Sequence, residues 1–417
     1  MEKIYSEILE ETLFINRLSS GVVCYIIPKA RYVEKQAMLT VKYGAADRSP
    51  LPINGAIVDL PSGIAHFLEH KLFEDTEKSL FDQFSALGAN VNAFTTFNQT
   101  SYYFNCIDNF EENLKLLTRF CQNPYFTDEN VEKEKGIIAQ EINMYDDTPQ
   151  WRVYQNLNVA MYGKEHPLAE SIAGSVDSIY GITKDMLYAC YNTYYTPANM
   201  ALICVGELDP YYVSELAERY LIPRESYIPQ ISFSESYGIH ERYISHKMPL
   251  ATSIFELGFV ERERNDPGFL MAIGKILPDI IAGDSSELHA FMFHETLIDS
   301  TFGIDYISGS FYGQSIFAGY SRSPRAVSNL IINEIERLRK DGINPRRFES
   351  IRRKHLGRLV RASNYLDQIC NSQAELFTRN MNFVQYVNAF QNLTLADAQR
   401  RLNEHFIDPA LSVIEPI

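Results

Sequence analysis

The stretch Gly63-Ile64-Ala65-His66-Phe67-Leu68-Glu69-His70 limits the local fold of this chain more than any other. Apolar residues recur at Ile64, Phe67, Leu68 and Leu72, the spacing of one helix face rather than the alternation of a strand. At about 100° per residue, His70 then sits some 40° round from His66, and Glu69 about 60° to the other side. All three share a face. Two imidazoles one turn apart can hold one tetrahedral zinc ion, and a glutamate beside them can reach a water on it as a base. The competing reading is a solvated helix face that carries two histidines and a glutamate by chance. The bracketing Phe67 and Leu68 belong to a buried helix and favour the metal.

A catalytic zinc takes three protein ligands and leaves a fourth position for water, so a further ligand must come from elsewhere. The run from Glu132 to Glu141 (EKEKGIIAQE) offers it. Glu134 and Glu141 are two helical turns apart; they face the same way within about 20° but lie roughly 10 Å apart along the axis. Only one of them can be a direct ligand. Glu141 follows the apolar Ile137-Ile138-Ala139, which suggests burial, whereas Glu134 stands among exposed-looking lysines. Glu141 is therefore assigned to the metal and Glu134 to orienting a ligand or water, with a surface ion pair as the bland alternative for Glu134.

Composition supplies the frame. At 417 residues the chain exceeds what one core organises, since single cores stop growing near roughly 250–300 residues. Two domains are expected. Apolar content of 46% and charged content of 22% are those of a globular protein. The net charge of −15 argues against a nucleic-acid partner, which requires a Lys/Arg surplus; basic or neutral peptides are easier partners. MEKIYSEILEETLF carries acids where a secretory signal has a basic stretch, and no window of about 18 apolar residues follows. The expectation is a cytoplasmic chain without a membrane span. Cys24, Cys106, Cys121, Cys190, Cys204 and Cys370 form no CxxC pair and read as reduced, mostly buried thiols.

Along the chain, Thr12–Ile15 and Val22–Ile27 read as a hairpin, Ala37–Tyr43 as a strand, and Asp47–Pro61, with three prolines and a glycine, as a loop. Asn90–Cys106 is a strand or hairpin with Asn98-Gln99 as its weak point. Thr127 caps a helix that runs to about Tyr145, and Ala201–Val205 is a strand ended by Gly206. Periodicity fades between Arg224 and His246. The division is thus 1–224, a linker at 225–246, and 247–417. In the last part, strand-like runs at Ser253–Phe259 and Ile307–Ala318 alternate with helices at Gly268–Ile281, Val327–Lys340 and Phe348–Ala362. His289 and His294 do not form a second HxxEH and read as ordinary helix histidines; Trp151 reads as helix packing.

Several stretches together resemble the inverzincin peptidases, the group of pitrilysin, insulin-degrading enzyme and the mitochondrial processing peptidases. They are GIAHFLEHKLFE at Gly63–Glu74, Asn92-Ala93-Phe94-Thr95, EKEKGIIAQEINMYDD at Glu132–Asp147, His166-Pro167, Tyr194–Met200 and Val205-Gly206. The look is nearest to short bacterial members of the YmfH type. The resemblance implies an α+β fold of two similar domains, each a mostly antiparallel sheet with packed helices, with one zinc in the first. It implies His66, His70 and Glu141 as metal ligands, Glu69 as catalytic base and Glu134 as a supporting catalytic carboxylate. Asn92 and Ala93 match the edge strand that binds an extended substrate, whose unpaired backbone groups hold a peptide without reading its sequence; an ordinary internal strand is the alternative.

Relatives carry, in the second domain, an Arg followed seven residues later by a Tyr, which close over the substrate. With Ser285-Ser286 on the preceding turn, those positions hold Phe293 and Ser300. Phe donates no hydrogen bond and Ser is too short. The expectation is a zinc metalloendopeptidase acting on short or extended peptides, with leader-peptide or small-peptide maturation as a candidate role. It works as the catalytic subunit of a heterodimer whose homologous, zinc-free partner supplies the Arg and Tyr. Tyr312, Tyr320 and Arg322 are the local substitutes that a homodimer would use. The rival is a catalytically idle peptide-binding or scaffold subunit.

Overall fold

A computed structural model describes residues 1–74, 79–224, 238–263 and 265–417. They fall into two compact units. One comprises residues 1–74, 79–142, 171–224 and 360–384, the other residues 143–170, 238–263, 265–359 and 385–417. A cut into 1–224 and 247–417 misses two exchanges, because a helix-bearing segment of each half packs into the other half's unit. Of the linker expected at 225–246, residues 225–237 lie outside the described residues, and its end belongs to the strand Tyr243–Met248. That strand pairs with the far C-terminal Ala410–Pro416, and a partner so distant in sequence leaves no local periodic signal.

In the first unit the strands are β1 (Glu2–Ser6), β2 (Glu11–Arg17), β3 (Val23–Pro28), β4 (Lys35–Val41), β5 (Leu51–Ile53), β6 (Ala56–Val58), β7 (Ala89–Thr95), β8 (Thr100–Cys106) and β9 (Met200–Gly206). Among the described residues the main sheet has the order β1-β2-β3-β9-β4-β8-β7, antiparallel except for β3 against β9. β9 is buried along its whole length because it is covered on both faces. Leu202 and Cys204 point into one core, with the helix side chains Phe67, Leu117 and Leu187. Ala201, Ile203 and Val205 point into another, closed by Leu366, Ile369, Cys370 and Phe377 of the helix Leu366–Thr378. The two-residue strand period sorts one apolar run into two layers. The segment expected to be a loop holds the β5–β6 hairpin, turned at Asn54-Gly55 with φ of 51° and 83°, the positive-φ pair of a type I′ turn.

The second unit is a sheet of β10 (Tyr243–Met248), β11 (Ile254–Val260), β12 (Gly303–Ser308), β13 (Gly313–Tyr320) and β14 (Ala410–Pro416), ordered β10-β14-β11-β13-β12 among the described residues. The run Ile307–Ala318, read as one strand, is the β12–β13 hairpin. Helix Pro149–Tyr162 lies close on β11, where a Cβ at Gly258 would fall 2.7 Å from Met161 Sδ. Trp151 on that helix is 49% exposed, and its ring lies 5.4 Å from that of Tyr145. Within the core, Arg401 Nη2 donates to both oxygens of Glu261 at 2.7 Å. His405 sits between Glu261, 3.4 Å from Nδ1, and Ser315, whose Oγ is 2.8 Å from Nε2. All six cysteines are free and buried. No helix among the described residues is long and apolar enough to cross a membrane.

Two features yield predictions. Gly63, which starts the helix carrying His66, has φ of +84°, and a Cβ there would fall 2.3 Å from Ala173 O. Gly63→Ala is expected to cost at least about 1–3 kcal/mol in denaturant unfolding. Burial pushes the His405 imidazole down to about 4, against an ordinary value near 6.5. As pH falls from 7 to 5 the unfolded chain takes up a proton that the folded chain refuses, so stability falls with pH. Urea midpoints should decline over that interval, and less steeply in His405→Gln.

Candidate metal centre

The helix α1 (Ile64–Leu72) buries Ile64, Ala65, Phe67, Leu68 and Leu72 in the first unit's core. That anchoring fixes the remaining arc of the helix, which carries His66, Glu69 and His70. With α2 (Leu80–Ala86) and α3 (Phe110–Gln122) between them, α4 (Asp128–Asp146) faces α1. Thr127 Oγ1 accepts from Asn130 N at 3.1 Å and so starts α4 as its sequence requires. The positions that α4 turns towards α1 are Asn130, Glu134 and Glu141, with buried Ile138 in the same row. They meet Lys71, His70 and His66 in that order, so the two helices run in opposite directions along this line.

His66, His70 and Glu141 form a cluster in which one ligand atom from each lies within 4.8 Å of the others. Nε2 of His66 is 3.7 Å from Glu141 Oε1, and Nε2 of His70 is 3.6 Å from Glu141 Oε2. Tetrahedral zinc at about 2.0–2.1 Å from each ligand sets neighbouring ligand atoms roughly 3.3 Å apart; each histidine Nε2 is near that separation from a different oxygen of Glu141, and the three residues fit one ion with a contraction of the cluster. Two imidazoles and one carboxylate are also the donor set of a catalytic zinc with one position left open. Burial, and then the neighbouring His70, push the His66 imidazole down to about 3, which keeps its nitrogen lone pair free for a metal. His66 Nδ1 is buried without a hydrogen-bond partner among the described residues.

Glu134 Oε1 lies 3.0 Å from His70 Nδ1. A carboxylate only accepts, so Nδ1 donates and the Nε2 lone pair is turned towards Glu141. Burial opposes the ionised form of Glu134, but His70 and Lys71 outweigh it and hold its carboxyl below the usual range. His70 is raised in turn, since the carboxylates of Glu134, Glu69 and Glu141 outweigh its own burial. Burial raises Glu69, and the Thr95 hydroxyl, donating to Glu69 Oε2 at 2.6 Å, pulls the other way. The exposure expected for the two α4 carboxylates is reversed. Glu134 is the more buried, its side chain 11% exposed against 23% for Glu141, and Ile137 is exposed. Neighbours in sequence mislead here because consecutive helical residues point about 100° apart.

Asn92 and Ala93 lie on β7, at the edge of the sheet among the described residues. A cavity of about 490 Å³ opens beside them, lined by Asn92, Glu69, His70, Glu134 and the stacked rings of Phe73 and Phe81. Sequence reasoning passed over Thr95 and Lys71. Thr95 was within reach, because the two-residue period puts it on the same face of β7 as Val91 and Ala93, which pack on the α1 side. His289 and His294 form no part of the centre: His289 stacks on Phe293, and His294 pairs with Glu295.

Two family models match, Insulinase (Peptidase family M16) over residues 55–175 and the Peptidase M16 inactive domain over 181–354. The chain belongs to peptidase family M16. It is 34% identical to the uncharacterized zinc protease YmfH of Bacillus subtilis across 100% of this chain and 99% of that one. An M16-like peptidase from Alicyclobacillus acidocaldarius superposes with a TM-score of 0.91 at 31% identity, covering 98% of this chain and 99% of the other. The mitochondrial-processing peptidase subunit beta of Caenorhabditis elegans is 29% identical over 38% of this chain and 36% of its own. The two M16 domains match the α+β pair expected, and the whole histidine and carboxylate cluster falls in the first matched segment. In the second segment, Ser286 Oγ caps the helix Glu287–His294 by accepting from His289 N at 2.8 Å, and Phe293 in its last turn is 53% exposed. Glu134→Gln should weaken zinc binding about 10–100-fold, read by competition with a chromophoric chelator.

Proposed function

We propose that this M16 chain is a zinc metalloendopeptidase that cleaves short or extended peptides. The observation carrying this reading is the convergence of His66, His70 and Glu141 beside Glu69, with His70 and Glu69 lining a cavity that borders a strand edge. His66, His70 and Glu141 would hold one zinc ion. When bound, zinc polarises the scissile carbonyl and acidifies a water. Glu69 takes the proton of the attacking water at Oε1 or Oε2 and passes it to the leaving amine. Thr95 keeps that carboxylate aimed, through its hydrogen bond to Oε2. Glu134 fixes the His70 ring. β7 offers backbone N–H and C=O groups at Asn92 and Ala93 to an extended peptide, which selects for conformation rather than sequence.

The second domain supports a further step in this reading. Phe293 and Ser300 give no hydrogen-bonding side chain long enough to reach a peptide, and Tyr320 already receives a hydrogen bond from Gln150 Nε2 at 2.9 Å. The chain acts as the catalytic subunit of a heterodimer with a homologous, zinc-free partner that supplies an Arg and a Tyr. Loss of one such donor costs about 10²–10³ in rate. The isolated chain is therefore expected to hold zinc yet cleave slowly, and a partner carrying the pair to restore activity. Full activity without a second polypeptide, abolished by Tyr320→Phe or Arg322→Ala, would overturn the heterodimer and support a homodimer.

Glu69→Gln should retain one zinc per chain by elemental analysis and lose about 10²–10⁴ in turnover of a quenched-fluorescent peptide. His66→Ala should lose the metal itself. Normal cleavage by Glu69→Gln would remove the base assignment, and a wild-type chain that holds zinc but cleaves nothing, with or without a partner, would leave the idle peptide-binding subunit.

A further inference from the structure

Lys71 follows the second histidine directly, and its side chain is wholly buried. A buried ammonium is costly unless it is paired and hydrogen-bonded, so its partners show what fixes it there. Nζ donates to Glu74 Oε1 at 2.8 Å and to the backbone oxygen of Asn130 at 3.1 Å, and lies 3.6 Å from Glu134 Oε2. Asn130 Nδ2 in turn reaches Glu74 Oε2 at 3.5 Å. One amine thus joins the end of α1 to the first turns of α4. The two oxygens of Glu134 are divided between Lys71 and His70 Nδ1.

We infer that Lys71 is a positioning residue of the metal centre, acting through Glu134 and through the alignment of α4 with α1. The geometry gives it two tasks. It occupies Glu134 Oε2, so that Oε1 is the oxygen left for His70, and this sets the rotation of the His70 ring. It also ties down α4 at Asn130, and a helix is stiff enough that its position at Asn130 sets where Glu141, three turns further on, meets His66 and His70. Glu74 balances the charge from the open side, its side chain 34% exposed, while Glu134 lies deeper. The chain of contacts runs Glu74, Lys71, Glu134, His70, and ends at the face where Glu141 stands.

A lysine that served only the fold would affect stability alone. A positioning lysine changes the affinity of the folded protein for zinc. This inference rests on the zinc-peptidase reading, and its test separates the two. The holoprotein is titrated with a chromophoric chelator as wild type, Lys71→Met, Glu134→Gln and the double variant, with thermal unfolding of each metal-free form alongside. Lys71→Met should bind zinc about 10–100-fold more weakly than wild type, the range for loss of a group that orients a ligand. The double variant should bind no more weakly than the worse single variant, since both changes break one chain of contacts. Lys71→Gln, which keeps hydrogen-bond donors without the charge, takes the place of Lys71→Met if that variant does not fold. Zinc affinity equal to wild type in a folded Lys71 variant overturns the inference, as does a double variant whose loss is the product of the two single losses. A wild-type chain that binds no zinc overturns the peptidase reading and this inference with it.

Discussion

The His70 imidazole is gripped from both sides by carboxylates of one helix, and the rest of the centre depends on that grip. Glu134 accepts the hydrogen bond of Nδ1–H and Glu141 faces Nε2. Both acids come from α4, so the ring turns correctly only if α4 lies at the right height along α1. Imidazole is suited to this because its two nitrogens are chemically distinct once one carries the proton. A carboxylate on the wrong turn of α4 would leave His70 unoriented and Glu141 out of reach.

What holds α1 still is hydrophobic. Phe67 and Leu68 are fully buried, in a core shared with alternate residues of β3, β4 and β9. Close packing makes such a face rigid, because any rotation of the helix opens voids on one side and clashes on the other. The polar arc of α1 inherits that rigidity. Glu69 gains more from it than the histidines do, since it also has Thr95 of β7 to limit its rotamers. The sheet edge and the cluster are therefore joined by the hydrogen bond from Thr95 to Glu69.

The second domain shares the layered plan but turns its buried polar chemistry inward. Inside the core Glu261 is paired with Arg401 and lies beside His405, whose Nε2 is hydrogen-bonded to Ser315, and Ser315 and His405 are 0% and 2% exposed. A serine, a histidine and an acid in sequence of contact suggest catalysis only where a substrate can enter. Here the arrangement fixes the packing of β11, β13 and the helix Leu395–His405. M16 membership thus accounts for two related sheets, and burial decides which of them carries an accessible cluster.

Much of the centre was legible in the chain itself. The HxxEH spacing requires a helix, and helical geometry alone puts His66, Glu69 and His70 on one arc; the seven-residue interval of Glu134 and Glu141 puts both on another. These are local relations, and sequence carries local relations well. Which α4 carboxylate is buried is not legible from its chain neighbours, because consecutive helical residues point about 100° apart. The exchange of the segments Asn143–Glu170 and Val360–Val384 between units, the strands β10 and β14, and the roles of Lys71 and Thr95 were decided by tertiary structure. Each depends on pairing between residues far apart in the chain, where neither composition nor period records the partner. A lysine after HxxEH reads as a solvated charge until Asn130 and Glu134 are seen to enclose it.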